Sequence, residues 1–128
     1  MRVLLDTHAF LWWVTDDPRL SAAARAAIGD EANGVLVSAA SAWEIATKHR
    51  LGKLGEAGGA VARFAELVTA DGFEHLAVSY LHALKAGSYQ SAHRDPFDRM
   101  LAAQSALEGL PLVTRDPAFA DFGTKTLW

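Results

Sequence analysis

HRDPFDRMLAAQSALEGLPLVTRD, residues 93–116, reads as one helix followed by one strand. Asp95 precedes Pro96; Asp is a preferred N-cap and Pro a preferred first helical residue, so a helix is predicted to start here. Asp98 falls in its first turn. Met100, Leu101, Ala103, Ala106, Leu107 and Leu110 predict the buried stripe, and Gly109 the stop. Pro111–Thr114 then reads as a short buried strand with Asp116 just past its carboxyl end. If that strand lies in a parallel sheet, the same end borders the crevice where ligands bind in open α/β folds, and two carboxylates converge on one edge.

Working outward, Val3-Leu4-Leu5 is a second apolar run that ends at Asp6-Thr7-His8, predicting a central strand followed by a helix capped by Asp6 or Thr7. Asp6 therefore reads equally as a cap and as a site residue. The helix Ala9–Val14 is apolar all round, so one side meets the sheet and the other faces either core or a partner chain. Asp16-Asp17-Pro18 turns the chain into an Ala-rich helix from Ser21 to Ile28. Val35-Leu36-Val37 is a further strand, after which Ser38 caps a helix to about Leu51. Ala39, Ala42, Trp43 and Ala46 predict its packed face, with Glu44 at the edge of that stripe. The plain alternative for Glu44 is an i,i+4 ion pair with Lys48, worth about 0.3 kcal/mol on an exposed face. Lys48, His49, Arg50 and Lys53 make a local basic patch, either solvated or holding phosphates. Gly55 to Gly59 reads as flexible. A helix with Val61, Phe64, Ala65 and Val68 inward follows, then a strand over 73–78, a short helix from Ser79 to about Ala86, and a loop over 87–92. Past Asp116, residues 117–122 predict one helical turn and 124–128 an edge strand.

Composition narrows the function classes. The 128 residues suit one domain, 1–128, able to bury roughly two-thirds of the unfolded surface. No run reaches the roughly 20 apolar residues that span a bilayer. The start lacks a signal-peptide layout, so no membrane and a cytoplasmic location are expected. Cysteine is absent, which excludes disulfides and thiolate metal sites and favours hard, oxygen-preferring cations. A net charge of −3 gives no basic footprint for nucleic acid, although catalytic carboxylates count towards that total.

Four acids stand out: Asp6 and Asp116 after strands, Glu44 on a helix, and Asp98 in a first turn. The plain alternatives are that Asp98 only complements a helix dipole and that Asp116 is a cap or turn residue before Pro117. Gathered together, they would repel one another unless protonated or neutralised by a cation such as Mg²⁺ or Mn²⁺. That combination predicts metal-assisted phosphate chemistry.

The segments LLDTHAFLWW, SAASAWEIATKHRLGKL and HRDPFDRMLAAQSALEGLPLVTRD, with the closing short strand, resemble the PIN-domain ribonucleases, specifically the VapC-type toxins of bacterial toxin–antitoxin pairs, over nearly the whole chain. The resemblance implies a three-layer α/β/α fold with a central, mostly parallel sheet of four to five strands. It assigns Asp6, Glu44, Asp98 and Asp116 to an acidic metal-binding and catalytic quartet, with Thr7 and Thr114 as supporting hydroxyls. Of the two aspartates in DPFD, the following RMLAAQSA pattern points to Asp98 as the quartet member and leaves Asp95 as cap. The implied reaction is Mg²⁺-dependent hydrolysis of RNA to 5′-phosphate and 3′-hydroxyl ends, with Mn²⁺ able to substitute and Arg94, Arg99 and Arg115 as phosphate contacts. A homodimer and a VapB-type antitoxin are the implied partners.

Three readings compete. A receiver-like phospho-acceptor domain also gathers acids around Mg²⁺, but it needs adjacent acids after the first strand, where Thr7-His8 follow Asp6, and a Lys after the last. A phosphatase with an aspartate nucleophile needs an Asp where His8 stands, and no phosphate-binding glycine loop is present. A non-catalytic binding module of the same fold is disfavoured by the intact quartet.

Overall fold

The computed structural model describes residues 1–128. In chain order the elements are β1 (Arg2–Leu5), α1 (Thr7–Val14), α2 (Ala22–Gly29), β2 (Gly34–Ser38) and α3 (Ala39–Arg50). A 3₁₀ segment, Gly55–Ala60, leads to α4 (Phe64–Ala70), β3 (Glu74–Leu76), α5 (Tyr80–Ser88), α6 (Pro96–Glu108) and β4 (Leu112–Val113). A second 3₁₀ segment, Pro117–Phe122, precedes β5 (Thr126–Leu127).

Short polar side chains start the helices. Asp6 accepts from the Ala9 amide, Ser21 from Ala24, Ser38 from Ala40, Ser79 from His82, and Asp95 from both Phe97 and Asp98. Each satisfies an amide that the helix itself cannot pair. Gly109 ends α6 at φ 67°, a left-handed conformation that glycine adopts without a Cβ clash.

All strands are parallel, in the order β3-β2-β1-β4-β5. The chain first builds outward from β1 to β2 and β3, then crosses through α5 and α6 to β4 on the other side of β1. The order thus reverses between β1 and β4, and ligands of open α/β sheets bind beyond the carboxyl ends at such a reversal. One sheet face, with Val3, Leu5, Val35, Val37 and Val113, packs on Phe10, Ile28, Ile45 and Val68 from α1 to α4. The other, with Leu4, Leu36 and Leu112, packs on Leu101 and Ala102 of α6 and on Phe119. This is the three-layer α/β/α architecture, with the sheet at the upper end of the expected strand number.

Several faces differ from the sequence reading. In α3 the buried residues are Ala40, Ser41, Glu44 and Ile45, while Trp43 is 59% exposed. Hydrophobicity selected the wrong stripe because Ser41 and Glu44 have buried hydrogen-bond partners, whereas Trp43 lies edge-on against Phe97 of α6, 4.6 Å between ring centroids. In α6 the same cause turns Gln104 and Ser105 inward and leaves Ala106 and Leu107 outside. Gln104 accepts from the Ser38 hydroxyl at 2.5 Å, and Ser105 donates to the Leu110 carbonyl at 2.6 Å. Residues 55–59, read as flexible, form the first 3₁₀ segment, and α5 continues two residues beyond Ala86. Phe10 and Trp12 are buried, so the second side of α1 is covered by this chain itself.

The Asp95 cap can be isolated experimentally. Asp95→Ala removes two amide hydrogen bonds and should lower stability by about 0.5–2 kcal/mol in metal-free buffer, read as a lower urea midpoint at unchanged slope.

Candidate active site

β1 and β4 run side by side with Leu5 opposite Val113, so Asp6 and Thr114 leave the sheet together at its point of reversal. The Asp6 amide still bonds the Val113 carbonyl at 3.1 Å. The side chain turns back to cap α1 through Oδ1, 2.7 Å from the Ala9 nitrogen. Asp6 is thus the cap of α1, with its carboxyl held at the sheet's point of reversal. Only 7% exposed, it has its carboxyl pushed up to about pKa 6. Loss of solvation is the main cause; the Thr114 hydroxyl and the Ala9 amide pull it partly back, and the charges of Asp98 and Glu44 push it further up.

Glu44 approaches from α3. Thr7, the first residue of α1, donates its hydroxyl to Glu44 Oε1 at 2.5 Å and lies 3.0 Å from the Ser41 hydroxyl. Lys48 Nζ donates to Oε2 at 2.5 Å. The i,i+4 pair with Lys48 therefore exists, yet it sits on a carboxylate that is 4% exposed rather than on a solvated face.

Asp98, in the first turn of α6, is held by His93: Nε2 lies 2.8 Å from Oδ2. Its carboxyl is also pushed up to about pKa 6, first by burial, with Asp95 and Glu44 adding repulsion and the His93 hydrogen bond opposing it. Arg99, read as a phosphate contact, has another task. Its guanidinium donates to the carbonyls of Ala86, Tyr89, Ser91 and His93 at 2.6–3.2 Å, fastening the chain before α6. Four of its five N–H donors are thereby committed to carbonyls.

Asp116 is exposed and caps the second 3₁₀ segment through the Ala118 amide at 2.9 Å, while its own amide donates to the Thr114 hydroxyl. It borders a cleft that also reaches Asp6, His8, Arg115 and Trp128. Across that cleft Trp12 is covered by two guanidinium groups, Arg115 at 4.5 Å and Arg19 at 4.8 Å from the ring centroid. Arg19 is also bound to Asp17, but Arg115 makes no ion pair. Arg94 is exposed on the loop before α6.

The structure thus brings Asp6, Glu44 and Asp98 within electrostatic reach of one another and sets Asp116 on the rim beside Asp6. No three His, Asp or Glu side chains converge closely enough to hold a metal ion as they stand. The predicted quartet is therefore not a closed ligand set: both Glu44 oxygens are engaged, and Asp116 is turned to its cap. The donor chemistry nevertheless fits a hard divalent cation. Asp6 and Asp98 offer only oxygen, are pushed up by desolvation and by the charges of neighbouring acids, and have no Lys or Arg bonded to them. Sequence reasoning assigned no role to His93 or Ser41. Ser41 stands one turn before Glu44, a usable signal; the contact of His93 with Asp98 crosses a loop and has no helical spacing to betray it.

In comparisons with known proteins, residues 3–125 match the family model of the PIN domain. Ribonuclease VapC16 of Mycobacterium tuberculosis (strain ATCC 25618 / H37Rv) is 58% identical over 41 residues, a match that takes in 29% of this chain and 29% of that relative's length. The crystal structure of VapBC2 from Rickettsia felis bound to a DNA fragment from their promoter aligns over 100% of this chain and 98% of that one, with a TM-score of 0.71 and 14% identity. At that identity the likeness is one of fold.

The raised Asp6 pKa has a measurable sign. The folded, metal-free protein holds this proton more tightly than the unfolded chain, so the stabilisation is complete below about pH 4 and is lost as pH rises through about 6. Asp6→Asn keeps a capping oxygen and removes the charge. Between about pH 4 and about pH 7 it should gain on the order of 2–3 kcal/mol relative to wild type in chelator-treated buffer, followed by urea denaturation across that range.

Proposed function

The chain belongs to the PIN domain family, and from that premise we propose that it is a VapC-type endoribonuclease toxin, cutting RNA by divalent-cation-dependent hydrolysis and leaving 5′-phosphate and 3′-hydroxyl ends. The observation that carries this reading is the pair of carboxylates, Asp6 buried and Asp98 half-buried, at the reversal point of a parallel sheet with no Lys or Arg bonded to either. Two acids held apart from cations in a desolvated setting are destabilised alone and stabilised by a divalent ion. The names of both similar proteins, a VapC ribonuclease and a VapBC complex, support the toxin assignment.

In this reading Asp6 and Asp98 hold the ion, Mg²⁺ or Mn²⁺, and Asp116 and Glu44 complete its surroundings directly or through water. When bound, the ion lowers the pKa of the attacking water and neutralises charge on the phosphate and the leaving oxygen. Thr7 orients Glu44, and Thr114 orients Asp6 and the backbone of Asp116. Arg115 is the arginine suited to a substrate phosphate: it is exposed, unpaired, steadied over Trp12 and on the same cleft as Asp6 and Asp116. Arg94, exposed on the loop before α6, is a second candidate contact. We further propose that 1–128 acts as one domain, that the protein works as a homodimer in the cytoplasm, and that a VapB-type antitoxin peptide covers the acidic cleft. No helix is long and apolar enough to cross a membrane.

Purified protein should cleave labelled single-stranded RNA with Mg²⁺ or Mn²⁺ and stop in excess EDTA; undiminished cleavage in EDTA would refute the metal-dependent reading. Asp98→Asn retains an oxygen for His93 while removing a charge, so it should lower cleavage by about 100-fold or more with no loss of metal-free stability. Asp95→Ala should show the reverse pattern, stability lost and most activity kept at permissive temperature.

Arg115→Ala should lower kcat/KM by about 10- to 100-fold, the worth of one charge-assisted hydrogen bond, without lowering the urea midpoint. Equal activity of wild type and variant on RNA would remove Arg115 from the phosphate site.

A further inference from the structure

His93 is the residue of the organising stretch that the functional reading leaves without a task, and its surroundings are unusually determined for a loop position. Its carbonyl receives Arg99 Nη1 at 2.7 Å, and its amide donates to the Ser91 hydroxyl at 3.1 Å. Its ring stands edge-on to Phe122, 5.5 Å between centroids at 88°. Backbone and ring plane are thus both held, and the ring's Nε2 arrives 2.8 Å from Asp98 Oδ2. A carboxylate only accepts, so Nε2 carries hydrogen; it does so in the neutral tautomer facing an acceptor and in the charged ring alike.

We propose that His93 is a positioning residue that fixes the Asp98 carboxylate so that its other oxygen, Oδ1, faces the cation site. The inference rests on the reading of Asp98 as a metal ligand. A short aspartate on the first turn of a helix has rotamer freedom that an ion must remove on binding; a ring locked beforehand by Arg99, Ser91 and Phe122 removes it in advance. Hydrogen bonds from outside the ligand set change metal affinity by about 10- to 100-fold in comparable sites. The HRDPFDR stretch then divides its labour: Asp95 starts the helix, Arg99 ties down the preceding loop, and His93 aims Asp98.

The test is Mn²⁺ binding by the full-length protein, followed by electron paramagnetic resonance of the free ion, for wild type, His93→Ala and His93→Gln. Glutamine places an N–H near the position of Nε2. The Ala variant should bind Mn²⁺ about 10-fold more weakly or worse, and the Gln variant should recover to within about 3-fold of wild type, with metal-free melting temperatures of the two variants alike. Should the Ala variant fail to fold, His93→Met, which fills the space without an N–H, takes its place. Ala or Met binding as tightly as wild type would overturn the proposal. So would a Gln variant no better than Ala, since ring packing on Phe122 would then be what matters. Wild type that binds no Mn²⁺ at all would overturn the metal-site reading itself and this inference with it, which separates the two failures.

Discussion

The withdrawal of the Asp6 carboxylate from water is the constraint around which the rest is arranged. Val3-Leu4-Leu5 is apolar on both faces, so alternation does not specify where β1 stops; the first acid does. A strand shifted by one residue would draw Asp6 between helices, where an unpaired charge is far more costly than any gain from burying another Leu. At the edge, the same side chain keeps a helix amide as donor and lies close to β4. The register of β1 against its neighbours and the location of the site therefore have one cause.

Three acids facing one another in a partly dry space have to be managed, and each is managed differently. Glu44 is paired within the protein with Lys48 and hydrogen-bonded by Thr7. Asp98 receives a histidine. Asp6 has only a helix amide and the Thr114 hydroxyl, and it is the least relieved of the three. This uneven treatment explains why the arrangement is suited to a cation without being a finished cage: the two acids with no Lys or Arg bonded to them are those that an ion would stabilise most. Arg115 stays at the rim, over Trp12, where its charge can meet a phosphate without cancelling the acids.

Much of this was legible in the residues themselves. Caps at Asp6, Ser21, Ser38, Ser79 and Asp95, the stop at Gly109 and the strand-ending positions of Asp6 and Asp116 all follow from local chemistry, which is why the element order and the α/β class could be read off the chain. Packing faces were less legible wherever polar side chains are inside. Ser41, Glu44 and Gln104 are buried because partners distant in sequence satisfy them, Ser105 because it meets the Leu110 carbonyl just past the helix, and Trp43 lies outside with one edge against Phe97. Periodicity of apolar residues contains neither fact. Arg99 was misread for the same reason: a guanidinium beside an acid suggests phosphate binding until the carbonyls that occupy it can be seen.

The two halves of the site differ in the span of chain needed to make them. Arg99 closes loops of 6 to 13 residues onto the carbonyls before α6, whereas Thr7 meets Glu44 across 37 residues that include α2 and β2. Closing the longer loop costs about 1.4 kcal/mol more than closing one of about eight residues, before any strand pairing compensates it. The arginine clamp with its histidine and aspartate is therefore close to a local property of residues 86–108, an assembly that the chain can form with few distant contacts. The Asp6 half exists only once the sheet has closed, so loosening the sheet dismantles one side of the cleft while the other still holds its shape.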